Sequence, residues 1–147
     1  MCGSEQAITI MGKVTKHQLI AAALTARRKA VAPYSKFKVG AALLTKTGKI
    51  ITGANVESAS YGLTCCAERV ALFKALADWK TDFVAMAVVA RMPKGPTPCG
   101  ACRQLLAEYA PRAVVWVADS RTPRAVREFA VTELLPEAFL VRTKFAL

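Results

Sequence analysis

The sequence predicts an α/β protein in which helices cover both faces of a mixed five-stranded sheet, so that the fold has three layers. Short apolar runs alternate with segments of helical spacing, and two of these runs, 83–90 and 113–119, are apolar almost throughout. Such runs are typical of strands buried in the middle of a sheet. A helix is expected between these two strands, and this order favours parallel pairing. The expected element order is α-β-β-α-β-α-β-β.

The first half of the chain predicts a helix followed by a β-hairpin. Thr15 and Gln18 have the spacing of a capping box, and the apolar residues that follow form one helical face. We expect this helix to cover 15–31, because Pro33 stops it. Two strands then flank a glycine-containing turn. The first strand, the turn and the second strand are 37–45, 46–48 and 49–57.

The second half predicts two more helices, each opened by cysteine, and three strands. The expected helices are 66–77 and 99–109, and the expected strands are 83–90, 113–119 and a last extended piece at 124–129. In sheets of this kind, binding sites gather where helix N-termini meet strand ends. The cysteines at the two helix starts are therefore candidates for function.

Length and composition indicate a single folded domain over 14–147, preceded by a flexible leader over 1–13. The chain has 147 residues, of which 54% are hydrophobic and 21% charged, as in globular proteins. No apolar run approaches the ~20 residues of a membrane helix, and no secretory signal is evident. We therefore expect a cytoplasmic protein without a membrane partner, whose five cysteines serve metal binding or catalysis rather than disulfides.

The net charge of +11 keeps nucleic acid open as a partner. Lysines and arginines are scattered along the chain, however, and aromatic residues do not interleave with them as in a surface that stacks single-stranded bases. A solvated basic surface is the simpler interpretation. A basic nucleic-acid-binding or editing protein stays as an alternative of another class.

The cysteine spacing predicts a zinc site with an open position. Cys99 and Cys102 are neighbours on the first turn of a helix, and Cys66, at the other helix start, is the candidate third ligand. Three protein ligands leave room for a water molecule, as in catalytic zinc sites. Glu68 lies two residues beyond Cys66, where a carboxylate can move the protons of that water.

Three thiolates around one dication leave a net negative charge, which requires compensation. We expect it from the two helix N-termini and from Arg69 and Arg103, each of which is expected beside a ligand. Three alternatives remain for the cysteines. They are a redox pair at 99–102, a closed four-cysteine structural zinc site that includes Cys65, and a zinc-stabilised module without catalysis. Cys2 is expected to be an exposed bystander.

Several stretches beyond the cysteines resemble one family. "APYSKFKVGAAL" at 32–43, "GANVESASYGLTCCAER" at 53–69, "TPCGACRQLLAEY" at 97–109 and "ELLPEAF" at 133–139 are similar to the small homotetrameric cytidine deaminases. Cysteine-zinc sites with a nearby glutamate are the general arrangement of zinc deaminases. The resemblance covers about 15–139, and it implies the cytidine deaminase fold.

The resemblance implies a role for each matching residue. It assigns Cys66, Cys99 and Cys102 to one zinc ion per subunit and Glu68 to proton transfer. The implied substrate contacts are Asn55 and Glu57 at the ribose hydroxyls, Phe37 on the pyrimidine ring, Ala67 offering a backbone group to the base, Tyr61 beside the substrate, and Phe139 reaching a neighbouring subunit's site. Asn55 and Glu57 also suit a simple strand-end turn, and Phe37 also suits a strand core.

The implied activity is hydrolytic deamination of cytidine and 2′-deoxycytidine to uridine and 2′-deoxyuridine, with release of ammonia, by a zinc-activated water. This reaction belongs to pyrimidine salvage, and the implied partners are a small nucleoside and further copies of the chain in a homotetramer. A deaminase of modified cytosine nucleosides, or of an antibiotic of the blasticidin S type, is the alternative within the same chemistry. The stretch "LVRTKFAL" after Phe139 departs from the family's pattern.

Overall fold

The computed structural model of the protein describes residues 14–141. The predicted leader over 1–13, with Cys2, and the last six residues of the predicted domain lie outside the described residues. The helices are α1 (Lys16–Arg27), α2 (Ala67–Ala77), α3 (Gly100–Tyr109) and α4 (Val131–Leu134), and the strands are β1 (Val39–Thr45), β2 (Ile50–Ala54), β3 (Phe83–Ala90), β4 (Val114–Asp119) and β5 (Arg127–Ala130).

The five strands form one mixed sheet in the order β2-β1-β3-β4-β5. Strand β1 pairs antiparallel with β2 and with β3, and β5 pairs antiparallel with β4. Strands β3 and β4 are parallel, with Val88 opposite Val117. The predicted hairpin and the predicted parallel pair are therefore both confirmed. The turn between β1 and β2 contains Gly48, whose φ of 88° suits glycine.

Helices cover both faces of the sheet, which confirms the predicted three layers. Successive residues of a strand point to opposite faces, so β3 contributes Met86 and Val88 to one core and Ala87 and Val89 to the other. Helix α1 supplies apolar side chains to the second of these cores, while α2 and α3 supply the first. Because β3 is buried on both sides, its continuous apolar sequence predicted its limits well.

The start of α2 lies close against β2, and Gly53 makes this approach possible. A Cβ atom on Gly53 would lie 2.5 Å from the carbonyl oxygen of Ala67 and 2.5 Å from the backbone nitrogen of Ala71. Real Cβ atoms do not come so near to backbone atoms. The glycine therefore fixes the beginning of α2 beside the strand end that leads to Asn55.

Several elements differ from the sequence-based expectations. Strand β2 ends at Ala54 rather than at 57, and β5 covers Arg127–Ala130 rather than 124–129. Helix α1 begins behind the predicted capping box of Thr15 and Gln18 but ends at Arg27, before 31. Val31 instead forms a parallel bridge with Val56, so a long-range pairing overrides the local helical pattern. The short helix α4 was not predicted. None of the helices within 14–141 has the length and apolar character that crossing a membrane requires.

Candidate active site

The starts of α2 and α3 bring three predicted ligands together. Cys66 is the N-cap residue of α2, Cys99 is the N-cap residue of α3, and Cys102 lies in the first turn of α3. The Sγ atoms of Cys66 and Cys99 are 3.7 Å apart, and those of Cys99 and Cys102 are 3.6 Å apart. All three sulfurs lie within 4.8 Å of one another. We call these residues the cysteine cluster.

The sulfur separations suit a zinc ion. Two thiolates that each lie about 2.3 Å from a tetrahedral ion are about 3.8 Å apart. The observed distances come close to this value and are far longer than a disulfide bond of about 2.05 Å. Within 14–141, the ligand group contains three cysteines and does not include Cys65. This arrangement leaves a fourth tetrahedral position open and disfavours the closed four-cysteine alternative.

Hydrogen bonds within the cysteine cluster favour a thiolate at Cys66. A hydrogen bond from Cys102, together with one from Arg69, lowers the pKa of the Cys66 thiol to about 5, although burial opposes the shift. The same interaction with Cys66 raises the pKa of Cys102. The proton of Cys66 is therefore easily lost. A bound dication would displace the protons of Cys99 and Cys102 as well, because metal-ligating thiols are deprotonated.

Arg69 lies where a thiolate partner was expected. Its Nη2 atom donates to Cys66 Sγ at 3.5 Å and to the carbonyl oxygen of Thr64 at 3.2 Å. The Nε atom of Arg69 is buried without a hydrogen-bond partner among the described residues. The guanidinium is therefore held against the ligand end of α2, where its charge opposes the negative charge of the thiolates.

The guanidinium of Arg103 lies elsewhere than predicted. It donates to the carbonyl oxygen of Pro98 at 2.7 Å, to that of Leu134 at 2.9 Å and to Thr97 Oγ1 at 3.2 Å. Within the described part of the chain it makes no hydrogen bond to a cysteine sulfur, so a direct thiolate contact is a wrong expectation. Several acceptors lie within reach of the long Arg103 side chain. Its hydrogen bonds join α3 to the preceding loop and to the end of α4.

Glu68 is buried beside the cysteine cluster. Only 6% of its surface is exposed, and it lines the same small cavity as Cys102 and Arg69. Burial raises the pKa of the Glu68 carboxyl to about 7, and the negative charge of Cys66 adds to this. A carboxyl group with such a pKa can both accept and release a proton near neutral pH. The N-terminal end of α2 therefore places a candidate metal ligand two residues from a carboxyl group with the pKa of an acid–base group.

Asn55 uses both ends of its amide to hold the segment that enters β1. Its Oδ1 atom accepts from the backbone nitrogen of Val39 at 2.8 Å, and its Nδ2 atom donates to the carbonyl oxygen of Phe37 at 2.9 Å. An amide oxygen accepts two hydrogen bonds and an amide nitrogen donates two. Among the residues that the structure describes, each end of Asn55 thus retains capacity for one further partner, so the structural and the substrate-binding interpretations are compatible.

Glu57 is bound to the same segment. Its Oε2 atom accepts from the backbone nitrogens of Tyr34 at 3.0 Å and Ser35 at 3.1 Å, and its Oε1 atom accepts from the hydroxyl of Ser35. The Ser35 hydroxyl is the main cause that holds the pKa of the Glu57 carboxyl below its ordinary value. We call Ser35, Asn55 and Glu57 the clasp. Ser35 belongs to the stretch 32–43 that resembles the family, but its sequence position alone gave no reason to predict a role for it.

The remaining predicted substrate residues differ in their exposure. Ala67 is fully buried at the first position of α2. Phe37 is 40% exposed, and Tyr61, in a 3-10 turn before α2, is 80% exposed. Phe139 is 77% exposed, and its carbonyl oxygen accepts from Gln104 Nε2 at 2.7 Å. The exposed aromatic side chains therefore leave surfaces on which further groups can pack.

The chain resembles known proteins over most of its length. The family model for the cytidine and deoxycytidylate deaminase zinc-binding region matches residues 13–118. A cytidine deaminase of Halalkalibacterium halodurans is 52% identical over 84% of this chain and 93% of its own length. A blasticidin-S deaminase of Bacillus cereus is 35% identical over 56% of this chain and 65% of its own length.

Solved structures show the same fold. The crystal structure of cytidine deaminase from Burkholderia pseudomallei matches with a TM-score of 0.82 and 50% identity, over 86% of this chain and all of that chain. The crystal structure of cytidine deaminase from Mycobacterium tuberculosis matches with a TM-score of 0.75 and 35% identity, over 88% of this chain and all of that chain.

Proposed function

This chain belongs to the cytidine and deoxycytidylate deaminase family, and we propose that it hydrolyses the amino group of cytidine and 2′-deoxycytidine to give uridine and 2′-deoxyuridine with release of ammonia. The observation that carries this proposal is the cysteine cluster, whose sulfurs lie 3.6 and 3.7 Å apart beside the buried carboxyl of Glu68. The higher identity to a cytidine deaminase than to a blasticidin-S deaminase supports the plain nucleosides as substrates.

Cys66, Cys99 and Cys102 are the residues that would hold zinc. A zinc ion held by three protein ligands lowers the pKa of a water molecule in its open position and so supplies a nucleophile near neutral pH. Arg69 donates to the Cys66 sulfur and thereby offsets part of the thiolate charge. Without this compensation, three thiolates would weaken the ion's effect on water.

Glu68 would carry the protons of the reaction. Its carboxylate takes a proton from the attacking water and delivers it to N3 of the pyrimidine ring, and it then takes the remaining hydroxyl proton and delivers it to the leaving amino group. One water is consumed, C4 gains an oxygen, the bond from C4 to the amino nitrogen breaks, and ammonia leaves. Burial favours this exchange, because the carboxyl group loses and regains its proton near neutral pH.

The clasp would bind the sugar. Asn55 retains one free donor and one free acceptor position, and Glu57 retains acceptor capacity, so a sugar hydroxyl can donate to Glu57 and accept from Asn55. Phe37, Ala67 and Tyr61 would line the base. Because Phe139 is largely exposed, we assign it to the site of a neighbouring subunit in a homotetramer.

We further assign the protein to the cytoplasm and to pyrimidine salvage. Cys65, Cys66, Cys99 and Cys102 are free thiols, and a reducing compartment keeps thiols available for a metal. Recovery of uridine from cytidine would be the use of this chemistry in salvage.

The direct test is an ultraviolet assay with cytidine, 2′-deoxycytidine, a 5-substituted cytidine and blasticidin S, combined with ammonia detection. We expect turnover of both plain nucleosides and stoichiometric ammonia. Turnover of blasticidin S without turnover of cytidine would contradict the substrate assignment. Tight binding of single-stranded DNA with a steep salt dependence, without nucleoside turnover, would favour the alternative of a nucleic-acid-binding protein.

A further inference from the structure

Ser35, in the segment before β1, joins two predicted substrate contacts, Glu57 and Phe37. Its hydroxyl donates to Glu57 Oε1 and accepts from the backbone nitrogen of Phe37 at 3.0 Å. A hydroxyl has one donor and two acceptor positions, so its donor is used on the carboxylate. Through this one oxygen, the group assigned to the sugar and the group assigned to the base are connected.

The acceptor count of Glu57 shows what Ser35 controls. An ionised carboxylate accepts about four hydrogen bonds, and the two backbone nitrogens of Tyr34 and Ser35 already occupy Oε2. The Ser35 hydroxyl occupies one position on Oε1. Among described residues, the remaining position is therefore also on Oε1, next to the Ser35 hydroxyl. The direction in which Glu57 offers that position depends on Ser35.

The backbone conformation indicates that this segment is held in place by its partners. Lys36, between Ser35 and Phe37, has a φ of 59°, which costs a residue with a side chain about 1 kcal/mol or more. Such conformations persist where surrounding contacts determine them. Here the contacts come from Ser35, Glu57 and the bond from the Lys36 nitrogen to the carbonyl oxygen of Ala32, 3.1 Å long.

We propose that Ser35 is a positioning residue that orients the Glu57 carboxylate toward a hydroxyl of the substrate's sugar. This inference rests on the proposed function, because it takes Glu57 as the group that binds the sugar. Ser35 itself does not contact the reacting atoms. Its loss should weaken the binding of ground state and transition state alike, and so change KM rather than kcat.

The experiment compares cytidine with 3′-deoxycytidine in the full-length zinc-loaded enzyme. We expect Ser35→Ala to raise KM for cytidine about tenfold, with kcat changed less than about twofold, because a hydrogen bond to a charged group is lost. For 3′-deoxycytidine, which lacks the 3′-hydroxyl that cytidine and 2′-deoxycytidine share, KM should change less than about twofold. An equal rise in KM for both nucleosides, a fall in kcat alone, or no change would overturn the proposal.

A matched pair of variants guards against loss of folding. Ser35→Thr keeps the hydroxyl, whereas Ser35→Val introduces a side chain of nearly the same shape as threonine but without the hydroxyl. We expect Thr to retain the wild-type KM for cytidine and Val to behave as Ala does, with thermal unfolding and zinc content measured for each. If Thr and Val raise KM equally, the side-chain shape rather than the hydroxyl is responsible, and the proposal is wrong.

Two further measurements separate this inference from the proposed function. Wild-type turnover of cytidine tests the deaminase activity itself. Glu57→Gln, compared on the same two nucleosides, tests whether Glu57 binds the sugar hydroxyl. If Glu57→Gln raises KM for cytidine more than for 3′-deoxycytidine and Ser35→Ala does not, only the positioning role of Ser35 fails. If Glu57→Gln affects both equally, the sugar-binding assignment fails, and the role of Ser35 is overturned with it.

Discussion

The cysteine cluster and the clasp differ in where their polar atoms find partners. In the cysteine cluster, the sulfurs interact with one another at 3.6–3.7 Å and with Arg69, and their geometry matches an ion from outside the chain. In the clasp, the atoms of Asn55 and Glu57 already bond the chain's own 34–39 segment. Loss of a cluster residue should therefore affect metal and chemistry, whereas loss of a clasp residue should affect affinity and stability together.

The largest effect is expected from Cys102→Ala. Removing one of three thiol ligands should abolish zinc binding and reduce turnover below detection, because the remaining two ligands do not complete the site. Metal analysis and the ammonia assay measure both losses. Cys65→Ala is the matched control. Cys65 is adjacent to Cys66 but lies outside the ligand group, so this variant should keep the wild-type zinc content and turnover. Loss of zinc in both variants would contradict the ligand assignment.

Glu68→Gln should separate chemistry from metal binding. The amide has nearly the same shape but cannot accept and release protons, so turnover should fall by about 10³-fold or more while zinc and fold are retained. Steady-state kinetics with metal analysis provide the measurement. Wild-type turnover in this variant would show that another group moves the protons.

Asn55→Ala should show the double character of the clasp. The variant loses the contacts to Phe37 and Val39 and leaves two backbone groups without partners, so we expect about 2 kcal/mol lower stability together with a higher KM. Urea unfolding and kinetics measure the two effects. If stability falls but KM for cytidine is unchanged, Asn55 is only a structural tie, and the clasp does not bind substrate.

The smallest effect is expected far from both regions, at the C-terminal end of α2. Trp79 is 81% exposed and has a φ of 54°, a conformation that glycine adopts without strain after a helix. Trp79→Gly should therefore raise the free energy of unfolding by about 0.5–1 kcal/mol and leave kinetics unchanged. Trp79→Ala, which keeps the strain, is the control. Equal stability of the two variants would show that backbone strain at Trp79 is negligible.

Local sequence patterns predicted most of the fold. The strand at 83–90 was predicted with its observed limits because both of its faces are buried. The end of α1 was predicted four residues too late, since nothing before Pro33 opposes a helix locally and the pairing of Val31 with Val56 is long-range. The α4 helix has four residues, too few for helical periodicity to be recognised.

In the candidate site too, features that depend on local sequence were predicted, whereas those that depend on long-range contacts were not. The three cysteines were predicted to meet because each belongs to a helix start, and helix starts of this fold gather at strand ends. The contacts of Arg103 were not predictable, because its partners include Leu134, 31 residues away. The role of Ser35 was not predictable either, because it depends on a hydrogen bond to Glu57, 22 residues away in sequence. Local sequence patterns do not indicate contacts over that separation.

Zinc titration of the metal-free protein tests most directly whether cysteine-bound zinc supports deamination. Chelator-treated protein is titrated with Zn²⁺ while bound metal and ammonia release from cytidine are measured on the same samples. We expect no turnover without zinc and a linear rise that ends at a single equivalent per chain. Full turnover by protein that contains no metal would contradict the account.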